Sequence, residues 1–144
     1  MTQPEIIKKF KEKGYKITPQ RRAIIDVLVK SGKPPTAKEV LRKVRVISPE
    51  VSLDTVYRNL KLLSEMGYLI QINLRSSERS RFEILKNGEQ CHHHLVCIGC
   101  GDSVCLRQCV LSEQDLKAIK EKGYEMVGHA YEIYGYCPKC HKKK

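Results

Sequence analysis

Apolar positions in the first 67 residues recur at helical spacing, in short runs divided by residues that stop helices. Ile6, Ile7 and Phe10 share one side of the first run, which ends at Gly14. A second opens at Thr18-Pro19, a cap followed by proline in the first turn. It carries Ile24, Val27 and Leu28 as far as about Gly32. Thr36 and Glu39 have the spacing of a capping box ahead of Val40, Leu41 and Val44, and Pro49 separates this third helix from the next. The fourth starts at Ser52, places Leu53, Val56, Leu60 and Leu63 on one face, and ends at Gly67. With those four inward, Asp54, Thr55, Arg58 and Lys61 face outward and Tyr57 lies at the edge.

Beyond Gly67 the pattern shortens to that of strands. YLIQINL (68–74) and RFEIL (81–85) flank the polar turn RSSERS (75–80). Helices followed by a β-hairpin describe a winged helix-turn-helix, whose last helix enters the DNA major groove. A small helical bundle with a hairpin fits the same pattern. KNGEQ (86–90) has an Asn-Gly turn and no periodicity, and it is expected to be a linker. After it come short strands at 93–96 and 103–106, a helix at 112–122 capped by Ser112 and closed by Gly123, and a longer strand at 124–134. The expected fold is thus α+β. A winged-helix DNA-binding domain (1–85) and the linker precede a small α/β domain for metal binding and dimerisation (91–144).

Two domains drawn from 144 residues have thin cores, which a metal staple or a partner subunit would reinforce. No run of about 18 apolar residues occurs and the N-terminus has no apolar signal region, so the expected location is the cytoplasm, away from membranes. The net charge of +11 is uneven. Residues 1–85 hold 18 Lys/Arg against 9 Asp/Glu, whereas residues 86–144 hold 9 against 7. A basic front joined to a nearly neutral, Cys/His-rich rear points to nucleic acid for one and control for the other.

The seven cysteines, an odd number, point in a reducing compartment to metal or redox chemistry rather than permanent disulfides. Cys97-Ile98-Gly99-Cys100 and Cys137-Pro138-Lys139-Cys140 present two thiolate pairs, the four sulfurs of a structural zinc site. A redox dithiol is the alternative for a single pair. Cys91-His92-His93-His94 lies just upstream. On a strand, alternation assigns His92 and His94 to one face and Cys91 and His93 to the other. The run is either a surface histidine cluster or, beside four zinc-binding cysteines, a second and exchangeable metal site. No Walker loop, GxSxG elbow or HExxH motif is present, so an enzyme is not expected.

Taken together, ITPQRRAIIDVL, VSLDTVYRNLKLLSEMG, HHHLVCIGCG and EIYGYCPKC resemble the ferric uptake regulator superfamily over nearly the whole chain. That superfamily comprises iron, zinc and peroxide sensors. The resemblance implies a homodimeric repressor of AT-rich, pseudo-palindromic double-stranded operator DNA when its regulatory metal is bound. It implies structural Zn2+ at Cys97, Cys100, Cys137 and Cys140. At the hinge between domains, Glu83, His92 and His94 match regulatory ligands. A further hinge ligand, often histidine, falls at Pro34, which cannot ligate, and an acidic one falls at Cys105. A secondary site matches His93 and His129, with Cys91 and a helix carboxylate, Glu113, as possible partners. The thiolate of Cys105 softens the regulatory site, so zinc is expected over Fe2+ or Mn2+, with iron- and peroxide-responsive regulators as alternatives. For DNA, Thr55, Tyr57 and Arg58 are the expected base readers. Lys16 is expected in the minor groove, and Arg21 and Arg22 on phosphates. A constitutive DNA-binding protein with structural zinc alone is the rival reading.

Overall fold

A computed structural model describes residues 1–72, 80–85, 93–106, 109–126, 129 and 131–143. Most of the expected turn (75–80), the linker (86–90), Cys91 and His92 lie outside these. The chain divides into two compact units, 1–87 and 88–144.

The first unit begins with α1 (Gln3–Glu12), α2 (Pro19–Lys30), α3 (Ala37–Val44) and α4 (Leu53–Glu65). Their boundaries follow local chemistry. The Thr18 hydroxyl accepts the Arg21 N–H at 3.1 Å, and Ser52 accepts that of Thr55 at 3.1 Å. Thr36 and Glu39 cap each other, side chain to backbone, at 3.2 and 2.8 Å. Gly14 and Gly67 end α1 and α4 with φ of 79° and 73°, a left-handed geometry that suits glycine. Ile6, Phe10, Ile24, Ile25, Val40, Val44, Val56, Leu60 and Leu63 form one buried core. Leu53, expected within it, only packs against its margin, while Asn59, on the same helix, is buried.

β1 (Leu69–Ile72) and β2 (Arg81–Ile84) pair antiparallel, with Leu69 opposite Ile84 and Ile72 opposite Arg81. The hairpin is fastened to the helices. The Phe82 N–H donates to the Pro35 carbonyl at 2.9 Å, and the Arg81 guanidinium donates to the Pro34 carbonyl at 2.9 Å. Buried Phe82 and Leu69 then extend the helical core into the hairpin. Helices followed by this antiparallel wing form the expected N-terminal domain.

The second unit is built on a three-stranded sheet, order β4-β3-β5, from β3 (His93–Cys97), β4 (Ser103–Leu106) and β5 (Tyr131–Gly135). β3 is central, antiparallel to β4 and parallel to β5. Between β4 and β5 runs α5 (Glu113–Glu121), capped by Ser112 and followed by Gly123 at φ 75°. A short α6 (Pro138–His141) closes the chain. The strand expected at 124–134 is shorter: residues 124–126 form none, and pairing begins at Tyr131. No helix among the described residues is long and apolar enough to cross a membrane.

Candidate metal centres and nucleic-acid surface

The two CxxC turns meet because their strands are parallel neighbours. Cys97 at the end of β3 is in register with Gly135 at the end of β5, and the Ile98 N–H donates to the Gly135 carbonyl at 2.8 Å. Both turns therefore leave the same end of the sheet, whatever the length of chain between them. After Cys97 the chain reverses through Gly101 at φ 74°, whose N–H returns to the Cys97 carbonyl at 2.8 Å. After Cys137 the single turn of α6 carries Cys140 back, its N–H donating to the Cys137 carbonyl at 3.0 Å.

All four sulfurs lie within 4.8 Å of one another, and Cys100 Sγ stands 3.8 Å from Cys137 Sγ. A zinc ion with Zn–S bonds of about 2.3 Å has sulfurs about 3.8 Å apart, so these residues fit structural zinc. Gly99 leaves the space for it: a Cβ there would meet Cys140 Cβ and Sγ at 3.0 Å. Backbone donors also prepare the ligands. The Cys137 N–H points at Cys97 Sγ from 3.2 Å and is the chief cause holding the Cys97 thiol down to about 6. Cys140 is pushed up to about 12, first by its hydrogen bond with Cys137 and then by burial. The four thiols crowd one small space, where a divalent cation would displace their protons.

A second group forms on β3 itself. His93 is 1% exposed, and its ring lies 5.1 Å, centroid to centroid, from that of His129. Tyr131 meets His93 edge-on at 5.8 Å. Cys109 Sγ lies 3.2 Å from His129 Nε2, and the ligand atoms of His93, Cys109 and His129 all fall within 4.8 Å. His93 and His129 were expected together; Cys109 was not in the expected set. Glu113, the first residue of α5, is not in the group.

The expected regulatory residues are spread over both units. Glu83 is half-buried on β2, in register with Ile70. His94 is 2% exposed on β3, with Cys105 of β4 directly across on one side and Glu132 of β5 on the other. Directly paired residues share a face of the sheet, with Cβ atoms about 4.5–5.5 Å apart across an antiparallel pair. Cys105 is thus a neighbour of His94 despite the 11 positions between them in sequence. Glu132, unforeseen in the sequence, accepts a hydrogen bond from Tyr134, which raises the tyrosine's pKa. The signal for it would have been the parallel register of β3 with β5.

On the first unit, Lys16, Arg22, Tyr57 and Arg58 are exposed. Among the described residues, Arg58 is held only by an ion pair with Asp54 at 2.8 Å, one helical turn away on the surface. Thr55 is half-buried, its hydroxyl 2.9 Å from that of Ser52. Arg21 is otherwise engaged. Its Nε donates to Asn59 Oδ1 at 2.9 Å, another nitrogen donates to the Lys16 carbonyl, and the guanidinium lies over the Phe10 ring at 5.4 Å. Asn59 in turn donates to the Thr55 carbonyl at 2.8 Å.

Comparison with known proteins agrees with this architecture. The sequence profile described as the ferric uptake regulator family matches residues 12–134. The peroxide operon regulator of Bacillus subtilis is 34% identical over 140 residues, covering 97% of this chain and 94% of that protein. The peroxide-responsive repressor PerR of Staphylococcus aureus (strain USA300) is 32% identical over 139 residues, covering 96% and 91%. Among solved structures, the ferric uptake regulator of Helicobacter pylori superposes with a TM-score of 0.77 over 98% of this chain and 95% of that one. At 22% identity this likeness speaks for the fold. A zinc-bound manganese uptake regulator superposes at 0.65 with 28% identity, covering 95% of this chain and 99% of that one. With its profile match, its relatives and its paired-cysteine site, the chain belongs to the ferric uptake regulator family of metal-responsive transcriptional regulators.

Proposed function

We propose that this protein is a homodimeric repressor that binds AT-rich, pseudo-palindromic operator DNA when a regulatory zinc ion is held by Glu83, His92, His94 and Cys105. The first unit (1–85) reads DNA and the second (91–144) binds metal and dimerises. The register of Cys105 directly opposite buried His94 carries the metal assignment. It offers a thiolate where an acidic ligand is expected of a peroxide sensor, and a mixed sulfur and imidazole set favours zinc over Fe2+ or Mn2+. Metal shifts a population: bound by residues of both units, it selects the arrangement in which the paired recognition helices match successive major grooves. The coupling expected of such a switch is about 1–3 kcal/mol. Structural zinc on Cys97, Cys100, Cys137 and Cys140 would act on folding alone.

The identity to peroxide-responsive relatives supports a second reading, in which Fe2+ or Mn2+ is the co-repressor and peroxide releases the DNA. One experiment separates the two. Duplexes are selected from a randomised pool by the zinc-loaded protein, and binding is then titrated with Zn2+, Mn2+ and anaerobic Fe2+, before and after peroxide. Zinc is expected to tighten binding at the lowest free concentration, and His94→Ala to abolish the response while keeping one tightly held zinc per chain. Equal binding by the stripped and loaded protein would leave a constitutive DNA-binding protein. Tightening by Fe2+ or Mn2+ alone, lost on peroxide treatment, would favour the second reading.

A further inference from the structure

Arg21, in the first turn of α2, reaches α4, α1 and the connection between α1 and α2 with one side chain. Its Nε donates to Asn59 Oδ1 on α4 at 2.9 Å, and its Nη1 donates to the Lys16 carbonyl in the connection. The same guanidinium lies over the Phe10 ring of α1, 5.4 Å from the centroid. Asn59 is buried and passes the contact on: its amide donates to the Thr55 carbonyl at 2.8 Å, and the Thr55 N–H is held in turn by Ser52. The contacts thus run from exposed Lys16 through Arg21 and Asn59 to Thr55, beside exposed Tyr57 and Arg58. Val56, Leu60 and Leu63 hold α4 to the core, but hydrophobic contact is non-directional, whereas a hydrogen bond weakens steeply when bent. The polar ties are what fix the place of this turn. A guanidinium suits the task because one rigid group supplies both donors and a flat face, which an ammonium lacks.

We propose that Arg21 is a positioning residue for DNA reading: it fixes the turn of α4 that carries Thr55, Tyr57 and Arg58 relative to Lys16, and so sets sequence preference without touching the duplex. The inference rests on the reading of α4 as the recognition helix. It moves Arg21 from the phosphates, where the sequence pattern placed it, to the interior of the reading unit. A binding group works only when held within about 0.5 Å of its productive place, and Arg21 ties together both flanks of the proposed reading surface. Loss of this clamp therefore weakens discrimination at several base pairs together, whereas loss of one base contact relaxes a single position. The salt dependence of binding stays with the phosphate contacts, because Arg21 neutralises none of them.

The test uses full-length, zinc-loaded protein and duplexes selected by the wild type from a randomised pool. Affinity for a selected duplex is compared with that for duplexes altered at one base pair, position by position, and the salt slope is measured alongside. Arg21→Lys keeps the charge but not the fork, and Asn59→Ala removes the acceptor. Both are assayed where far-ultraviolet circular dichroism shows them folded, and either decides alone if the other fails to fold. Each is expected to lower discrimination by about tenfold at several positions of the half-site, with the salt slope unchanged. The double variant should lose no more than either single one, because the two residues act as one clamp. Wild-type discrimination in the folded variants overturns the inference, since a lower unfolding midpoint by itself is what a merely structural tie gives. So does a salt slope kept by Arg21→Lys but lowered by about 2 in Arg21→Gln, which would return Arg21 to a phosphate. If the variants discriminate as well as a zinc-responsive wild type, the proposed function stands and only the clamp is lost. A wild type that prefers no sequence overturns both.

Discussion

Gly99 shows how a single missing methyl shapes the proposed zinc site. Any Cβ at this position approaches both the Cβ and the sulfur of Cys140 at 3.0 Å, closer than carbon and sulfur tolerate. The neighbour is a proposed zinc ligand on a one-turn helix, so with zinc bound it could not swing aside without leaving the ion. Gly99→Ala is therefore expected to load zinc and then lose it several-fold faster, read as the rate of transfer to a chromogenic chelator. The wild-type rate in Gly99→Ala would mean the four-sulfur cage is looser than its geometry indicates. The cage was legible in the sequence because each cysteine pair announces itself over four residues. Cys109 was not: its partners His93 and His129 lie 16 and 20 positions away, and only the fold closes those gaps. Cys105 occupies a middle ground, placed beside His94 by resemblance and given a physical reason by the register of β3 with β4.

At the scale of elements, every described helix of the first unit begins where a Thr or Ser precedes it, and three of these starts, at Thr18, Thr36 and Ser52, could be read directly because capping is local chemistry. Strand length could not. β5 is described over five residues, each paired with one of β3 from His93 to Cys97, and residues 124–126, expected within it, form no strand. On α4 the expected core face holds at Val56, Leu60 and Leu63, while Leu53 only packs against its margin. Asn59, which the apolar pattern of α4 leaves unassigned, is buried and accepts from Arg21, 38 positions earlier. With Asn59 fixed on the Thr55 carbonyl, the pair ties α2 to α4, the proposed recognition helix. Asn59→Ala removes the acceptor of a half-buried guanidinium and is expected to cost about 1–3 kcal/mol. Urea unfolding checks this: the midpoint should fall with the slope unchanged. A midpoint equal to that of the wild type would show that water replaces Asn59 at no cost.

For the whole molecule, charge and symmetry together make a quantitative claim about DNA. The first unit carries the excess of positive charge, and binding that neutralises phosphates weakens with salt by about 0.9 in logarithmic slope per contact. Arg22 is exposed near the start of α2, and Arg58 is exposed on α4. To reach DNA, Arg58 gives up only a surface ion pair with Asp54, a loss of about 0.3–0.5 kcal/mol. Arg21, by contrast, would have to abandon Asn59, the Lys16 carbonyl and the Phe10 ring. In a homodimer each substitution removes two contacts. Arg22→Ala is therefore expected to lower the salt slope by about 2 with little change in unfolding midpoint. Arg21→Ala should lower the midpoint instead and leave the slope of the remaining folded protein almost unaltered. Arg58→Ala tests the recognition helix. If Arg58 reaches a guanine edge rather than a phosphate, the slope stays near wild type and preference among selected duplexes relaxes at one position in each half-site, by about 1–3 kcal/mol. A slope change of about 1 for Arg22→Ala would mean one protomer engages at a time, and no change would remove Arg22 from the DNA surface altogether. Because the duplex presents its half-sites as a pair, a loss that comes in twos would also report the two-fold symmetry of the bound protein.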